Sequence, residues 1–217
     1  MSRNEKLFMT ILALEFSSAR RSVALAGGGE VLAEAVEQTS ARGTNAFGLI
    51  ERVLADANIA RTEVAVIAVG LGPGSYTGIR AAIALAQGWQ LARDVKLLGV
   101  SSVESLAAQA QAGKIFGRVN LVIDAQRGEF YLATWQISAS ERREVTSLRI
   151  VPAAEVAARK AAGEIFAGPE MERVLFPSAA KVALLAAERA DFLPGEKLEP
   201  IYLRETSFVK APPSRNC

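Results

Sequence analysis

The chain has 217 residues, of which 50% are hydrophobic and 22% are charged, a balance that favours a buried core over disorder. Its 25 basic and 23 acidic residues give a formal net charge of +2, which excludes a strong electrostatic footprint for nucleic acid. The absence of histidine excludes a Ser-His-Asp triad, a Cys-His pair and a histidine-ligated metal site.

The sequence also predicts a cytoplasmic protein without a membrane span. Residues 1–8 are too polar for a signal peptide, and the apolar stretches are short and interrupted by charge. The single cysteine, Cys217, cannot form an intrachain disulfide, which fits a reducing compartment.

The first hundred residues predict a meander of three antiparallel strands followed by βαβ crossovers. Strands are predicted at residues 11–14, 22–26, 31–36, 64–69 and 96–100. Helices are predicted at 45–57 with Thr44 as N-cap, at 78–93, and from a capping box of Ser101 and Glu104 through residue 111. Because the pattern changes from hairpins to crossovers, we expect an α/β fold with a mixed sheet and flanking helices.

The second half begins again with a β-hairpin. Strands are predicted at residues 119–125, 130–137 and 164–167, helices at 152–162 and 179–189, and an extended arm at 200–217. We therefore divide the chain into an N-terminal lobe, residues 1–100, and a C-terminal lobe with an extended tail, residues 101–217.

A glycine-rich turn, Gly72 to Arg80 with the sequence GPGSYTGIR, lies between a predicted strand and a predicted helix. Gly74, Ser75 and Thr77 could hold an anion with the free amides of the first helical turn. The alternative is a turn that starts a helix, capped by Ser75 or Thr77, and binds nothing. The turn is not a P-loop, because no Lys-Ser or Lys-Thr follows its last glycine, and its glycine spacing differs from a dinucleotide fingerprint.

The helix after this turn is rich in small residues, which allow another helix to approach closely. Gly48 in the preceding helix offers a similar approach, so the two helices could form one docking surface. The alternative is packing on the chain's own sheet. We predict a docking face formed by the following residues: Phe47, Ile50, Leu54, Ile79, Ile83 and Ala86.

Two acidic residues lie at the ends of predicted strands, Glu15 in the first half and Asp124 in the second. Carboxylates at two such strand ends could face one cleft and hold a magnesium–nucleotide complex. Alternatively, Glu15 and Asp124 cap turns or pair with Arg20 and Arg127.

Five blocks of the sequence, in this order, resemble the TsaB (YeaZ) family. The blocks are Ile11 to Ser18, Gly72 to Arg80, Gly99 to Ser102, Ile123 to Tyr131 and Pro200 to Arg204. Two departures from the family pattern stand out. The family usually has aspartate where Glu15 stands, and many relatives carry a histidine early in the first long helix, where this chain has residues 43–47, GTNAF.

The resemblance implies an actin-like ATPase-type (ASKHA, ribonuclease H-like) fold of two lobes, the second one reduced. It also implies a role in forming threonylcarbamoyladenosine on the tRNA base next to the anticodon. In that system a TsaD-type subunit transfers the threonylcarbamoyl group, a TsaB-type subunit docks on it through N-lobe helices, and a TsaE-type ATPase joins them. The name glycoprotease-like (peptidase M22) reflects the relation to the catalytic paralogue.

From this resemblance we expect a non-catalytic scaffold that activates a TsaD-type partner and meets tRNA only through the complex. We expect a homodimer when the partner is absent, and ATP or ADP with magnesium at the heterodimer interface rather than a tightly bound cofactor. The alternative is a stand-alone phosphotransferase or ATPase of the same fold, using Asp124 and the glycine-rich turn. A third interpretation, a peptidase, lacks a nucleophile–base pair in the sequence.

Overall fold

A computed structural model describes residues 9–38 and 45–204, which form two lobes, each with a five-stranded mixed sheet. The sheet of the first lobe contains β1 (Ile11–Glu15), β2 (Arg20–Gly27), β3 (Glu30–Gln38), β4 (Val66–Gly70) and β5 (Lys96–Val100). Its strand order is β3-β2-β1-β4-β5, with β1 antiparallel to β2 and parallel to β4. The antiparallel meander followed by parallel crossovers is the predicted arrangement.

Helices cover both faces of the first sheet. Helices α1 (Ala46–Asp56) and α2 (Tyr76–Ala92) lie on one face and contact alternate residues of the central strands, such as Leu14 and Val69. The opposite face, which includes Ala13 and Ala68, packs on a helix from the other half of the chain. Because β1 and β4 are buried on both faces, their sequences are continuously apolar up to the last residue of β1.

The second lobe is entered through helix α3 (Ser102–Ala112), which packs on the second sheet through Val103 and Leu106. The sheet contains β6 (Gly117–Gln126), β7 (Glu129–Ile137), β8 (Arg142–Pro152), β9 (Ile165–Gly168) and β10 (Arg173–Val174), in the order β10-β9-β6-β7-β8. Helix α4 (Ala153–Ala161) covers the other face through Val156.

Helix α5 (Ala179–Ala187) returns to the first lobe, where its alanine-rich face packs on β1 and β2. The second lobe therefore keeps few helices of its own. The predicted α/β fold class is confirmed, with two five-stranded mixed sheets and flanking helices.

Several local predictions need correction. The sequence analysis missed β8, an edge strand with a mixed, charged sequence whose residues are mostly exposed or half-buried. Helix α1 is capped by the Asn45 side chain, which accepts the Gly48 N–H; the predicted cap, Thr44, lies outside the described residues. Ser101 caps α3 by accepting the Val103 N–H. Residues 201–203 of the predicted arm have no regular secondary structure, and residues 205–217 lie outside the described part.

Within the described part of the chain, no helix is both long enough and apolar enough to cross a membrane.

Candidate functional site

The glycine-rich turn connects β4 to α2 and contains a cis peptide bond between Gly72 and Pro73. Helix α2 begins at Tyr76, and the Ser75 hydroxyl caps it by accepting the Gly78 N–H at 3.4 Å. Of the two caps considered from the sequence, Ser75 is therefore the one that forms, while Thr77 is exposed on the first turn.

Two glycines of the turn allow close contact with the chain segment that follows β1. A Cβ atom on Gly74 would overlap the carbonyl oxygen of Ser17, and one on Gly78 would overlap the carbonyl oxygen of Phe16. The Ser75 N–H donates to the Ser17 carbonyl at 2.6 Å. The space that these glycines provide, and one of the amides predicted to hold an anion, are thus occupied by the chain itself.

Glu15 lies beneath the turn and is fully buried. Its Oε1 accepts the Ser17 N–H at 2.8 Å, and its Oε2 accepts the Ser102 hydroxyl at 2.8 Å. The Ser102 Oγ also accepts the Gly72 N–H at 3.1 Å, so one carboxyl group ties β1, the glycine-rich turn and the start of α3 together. Loss of hydration on burial raises the pKa of Glu15, and the hydrogen bonds from Ser17 and Ser102 oppose that shift.

Asp124 is used by the hairpin between β6 and β7. Its carboxylate accepts the Gln126 backbone N–H at 2.8 Å and the Gln126 side-chain N–H at 2.6 Å. Gln126 and Arg127 adopt positive φ angles of 65° and 61°, so the carboxylate supports a strained part of the turn. Asp124 therefore caps its turn, one of the two roles considered for it from the sequence.

These residues do not fit a magnesium–nucleotide complex held by this chain alone. Glu15 has no exposed surface, and both carboxylates, Glu15 and Asp124, already accept hydrogen bonds from their own chain. Within residues 9–38 and 45–204, no three acidic or cysteine side chains form a cluster that could hold a metal ion.

The predicted docking face is exposed at only one of its six residues. Phe47 is 71% exposed, but the other five are between 0 and 6% exposed and belong to the core of the first lobe: Ile50, Leu54, Ile79, Ile83 and Ala86. Their helical spacing marks the face of each helix that packs on the sheet. In this conformation these five residues therefore lie beneath the outer surface of the two helices and do not form most of it.

The surface above them is an apolar groove of about 470 Å³ between α1 and α2. We call it the α1–α2 groove, and its lining residues are Phe47, Ile50, Glu51, Arg61, Ala84, Leu85, Gly88, Trp89, Ala92 and Arg93. Glu51 and Arg61 form an ion pair at its rim. The groove lies between the two helices on which the docking face was predicted, but its lining residues Ala84, Leu85 and Trp89 were not among the predicted residues. Placing the buried stripe of α2 on the sheet would have assigned Ala84 to the outer face.

Comparison with known proteins places the chain in a family. The family model described as "TsaD: tRNA N6-adenosine threonylcarbamoyltransferase" matches residues 30–193. The protein named "tRNA threonylcarbamoyladenosine biosynthesis protein TsaB" from Bacillus subtilis is 34% identical over 130 residues, covering 59% of this chain and 56% of that protein. The Escherichia coli protein of the same name is 33% identical over 128 residues, covering 59% of this chain and 55% of that protein. These matches span little more than half the length of the curated relatives.

Solved structures extend the similarity over nearly the whole chain. A Pseudomonas aeruginosa protein described as similar to peptidase YEAZ superposes with a TM-score of 0.78 at 30% identity, over 91% of this chain and 100% of that one. YeaZ from the same organism gives a TM-score of 0.76 at 29% identity, over 90% and 100%. The chain thus belongs to the TsaB (YeaZ) family, within the wider family of the TsaD model.

Proposed function

We propose that this chain is a non-catalytic subunit that docks on a TsaD-type threonylcarbamoyltransferase and supports the formation of threonylcarbamoyladenosine on tRNA in the cytoplasm. The names of its relatives point to that pathway. The observation that carries the docking role is the α1–α2 groove, with Phe47 exposed at one side of it.

The groove has the composition of a protein interface. Most of its lining is formed by small, aromatic or aliphatic side chains, among them Phe47, Leu85 and Trp89, and three of its lining residues are charged. Protein interfaces commonly combine an apolar, aromatic centre with a polar border, and exposed apolar patches mark sites of association. The same surface would pair with a second copy of the chain when the partner is absent.

Gly88 strengthens this assignment. It lies in the groove within α2, where glycine costs about 1 kcal/mol of helix stability relative to alanine. Apart from its neighbours in α2, no atom of the described residues lies within 4 Å of a Cβ atom at this position, so packing within this part of the chain does not require a glycine here. A helix of another protein that crosses α2 closely would require it.

We assign a non-catalytic role because Glu15 and Asp124 already accept hydrogen bonds from their own chain. Glu15 is closed off by its own hydrogen bonds, and Asp124 supports a turn. We therefore assign the transfer chemistry to the TsaD-type partner. A nucleotide at the heterodimer interface would depend on residues of that partner, and we expect a TsaE-type ATPase to join the pair. With a net charge of +2, this chain would contribute little to tRNA binding, so the partner would supply most phosphate contacts.

The groove can be tested with Ala84→Arg, because Ala84 is exposed and lines the groove. A guanidinium desolvated in an apolar interface should weaken binding by about 100-fold or more. Leu91→Arg is the matched control, since Leu91 is on the same helix and 89% exposed but does not line the groove. The measurements are affinity for a purified TsaD-type protein and the threonylcarbamoyladenosine content of tRNA after reconstitution with that partner.

Docking through the groove predicts that Ala84→Arg loses both binding and modification while Leu91→Arg retains them. Equal behaviour of the two folded variants would refute the assignment of the groove. ATP turnover by the isolated chain, abolished by Asp124→Asn, would instead establish the stand-alone phosphotransferase.

A further inference from the structure

The segment after α5 is anchored first on the first lobe. The Leu193 N–H donates to the Leu97 carbonyl at 2.9 Å and covers the outer edge of β5. The backbone of Gly195 then bonds to two side chains of α2, accepting from Gln87 at 2.7 Å and donating to Gln90 at 2.9 Å. Leu198 is buried in the core of the first lobe. The segment is therefore firmly fixed up to residue 198.

Residues 198–204, which we call the strap, continue from that anchor along the glycine-rich turn. The Ile201 N–H donates to the carbonyl of Leu71, next to the turn, at 2.9 Å. The Tyr202 ring packs on that of Tyr76 with 5.6 Å between ring centroids. The main chain and a side chain of the strap thus both contact the start of α2.

At its end the strap crosses to the second lobe. Arg204 Nη2 donates to the Ala125 carbonyl at 3.1 Å and to Glu129 Oε2 at 2.6 Å, both on the β6–β7 hairpin. The Ala125 carbonyl is adjacent to Gln126, the first of three consecutive hairpin residues with a positive φ angle. The strap therefore links the glycine-rich turn of one lobe to the hairpin of the other.

The contacts between the lobes differ in burial. Where α3 meets the first lobe and α5, buried or half-buried groups are joined: Ser102 donates to Glu15, and Ser105 bonds to the Ser178 backbone. At the end of the strap, the joining side chains are 32% exposed for Arg204 and 40% exposed for Glu129. An ion pair of this exposure typically shifts an equilibrium by no more than about five-fold. The buried contacts are suited to act as a hinge, and the Arg204–Glu129 contact as one that opens at little cost.

We propose that the strap is a releasable latch that sets the opening between the two lobes, with Arg204 as its closing residue. This proposal does not depend on the partner or on the assigned pathway. It concerns the contact between the glycine-rich turn and the β6–β7 hairpin, the two segments considered above for nucleotide binding.

Hydrogen–deuterium exchange of the full chain tests the latch. Arg204→Ala should increase exchange of the Ile201 amide and of the hairpin amides between Asp124 and Glu129 by up to about five-fold. Glu129→Gln removes the negative charge of the same ion pair and should give a smaller increase in exchange of the same amides. Arg149→Ala is the control, because the Arg149–Glu155 ion pair has similar exposure but lies within the second lobe.

The opening itself can be followed by the distance between spin labels on Leu91→Cys and Arg143→Cys, in a Cys217→Ser background. Both positions are exposed, one in each lobe. The latch predicts a narrow distance distribution that broadens or shifts to longer distances with Arg204→Ala and not with Arg149→Ala. Unchanged exchange at Ile201, or an unchanged distance distribution, in a folded Arg204→Ala variant would overturn the proposal.

Discussion

The glycine-rich turn and the α1–α2 groove lie on the same lobe and share helix α2. They differ in whether other parts of the chain fill their spaces and make their hydrogen bonds. The turn is the most conspicuous motif of the sequence, but its amide at Ser75, its glycine spaces and the acid beneath it are used by the chain itself. The groove contains no conspicuous motif, but its lining residues, which include the exposed Phe47, form an open apolar surface. A distinctive motif here serves folding, and a plain stretch of small residues lines the groove that we propose as the docking surface.

Two glycines on α2 make the same comparison at single positions. The space that a Cβ on Gly78 would need is filled by the Phe16 carbonyl, whereas the space at Gly88 is open. Gly78 is thus required by the fold of the chain, whereas we propose that Gly88 is required by the close approach of a partner. Substituting alanine at each position separates the two explanations.

Gly78→Ala should have the largest effect on stability. Alanine is a better helix former than glycine by about 1 kcal/mol, but here its Cβ would overlap main-chain atoms that cannot move alone. We expect a net loss of about 3 kcal/mol in the free energy of unfolding, as for a severe overpacking change. Urea unfolding followed by circular dichroism measures it, and an unchanged midpoint would show that the β1–β2 turn can move away from α2.

Glu15→Gln tests whether the acid beneath the turn is a buried structural group. The pKa of Glu15 is raised above its ordinary value of 4.5 by burial, so the native state holds its proton at pH values where the unfolded state has lost it. The contribution of Glu15 to stability is therefore full below about pH 4.5 and falls as pH rises through the native pKa, by at most about 1.4 kcal/mol per pH unit.

In urea titrations from pH 4 to pH 8, Glu15→Gln should be less sensitive to rising pH than the native sequence. Glu144→Gln is the control, because it removes an exposed carboxylate of β8 that lies outside the glycine-rich turn and the strap. Parallel pH dependence in the native chain and Glu15→Gln would contradict the buried-acid assignment, and would reopen a phosphate-facing role for Glu15.

Much of the fold follows from local patterns. Strands buried on both faces, such as β1 and β4, have continuous apolar sequences, and the hairpin at Gln126 to Glu129 is marked by its turn residues. Strand β8 was missed because an edge strand exposed to solvent has little apolar periodicity. The return of α5 to the first sheet is a long-range contact that no local pattern encodes.

The candidate surface was predicted less well for a related reason. Helical periodicity identifies the stripe of a helix that is buried, but not whether its own chain or a partner buries it. Ile50, Ile79 and Ile83, predicted as part of a docking face, belong to the core of the first lobe. Which apolar residues remain outside depends on where the sheet lies, which the spacing does not give. Phe47 shows this directly, because it is close in sequence to Ile50 but lies on the outer side of α1.

Gly88→Ala should have the smallest effect on stability, and its sign is the informative part. Because no atom of residues 9–38 and 45–204, other than its neighbours in α2, lies near the added methyl group, the gain in helix propensity should stabilise the isolated chain by about 0.5–1 kcal/mol. The same methyl group would hold a crossing helix away from α2, so affinity for the TsaD-type partner should fall. Urea unfolding of the isolated chain and titration of the partner measure the two effects on one variant. Higher stability with undiminished affinity would remove Gly88 from the interface, and lower stability would mean that the chain itself needs the glycine, as it does at Gly78.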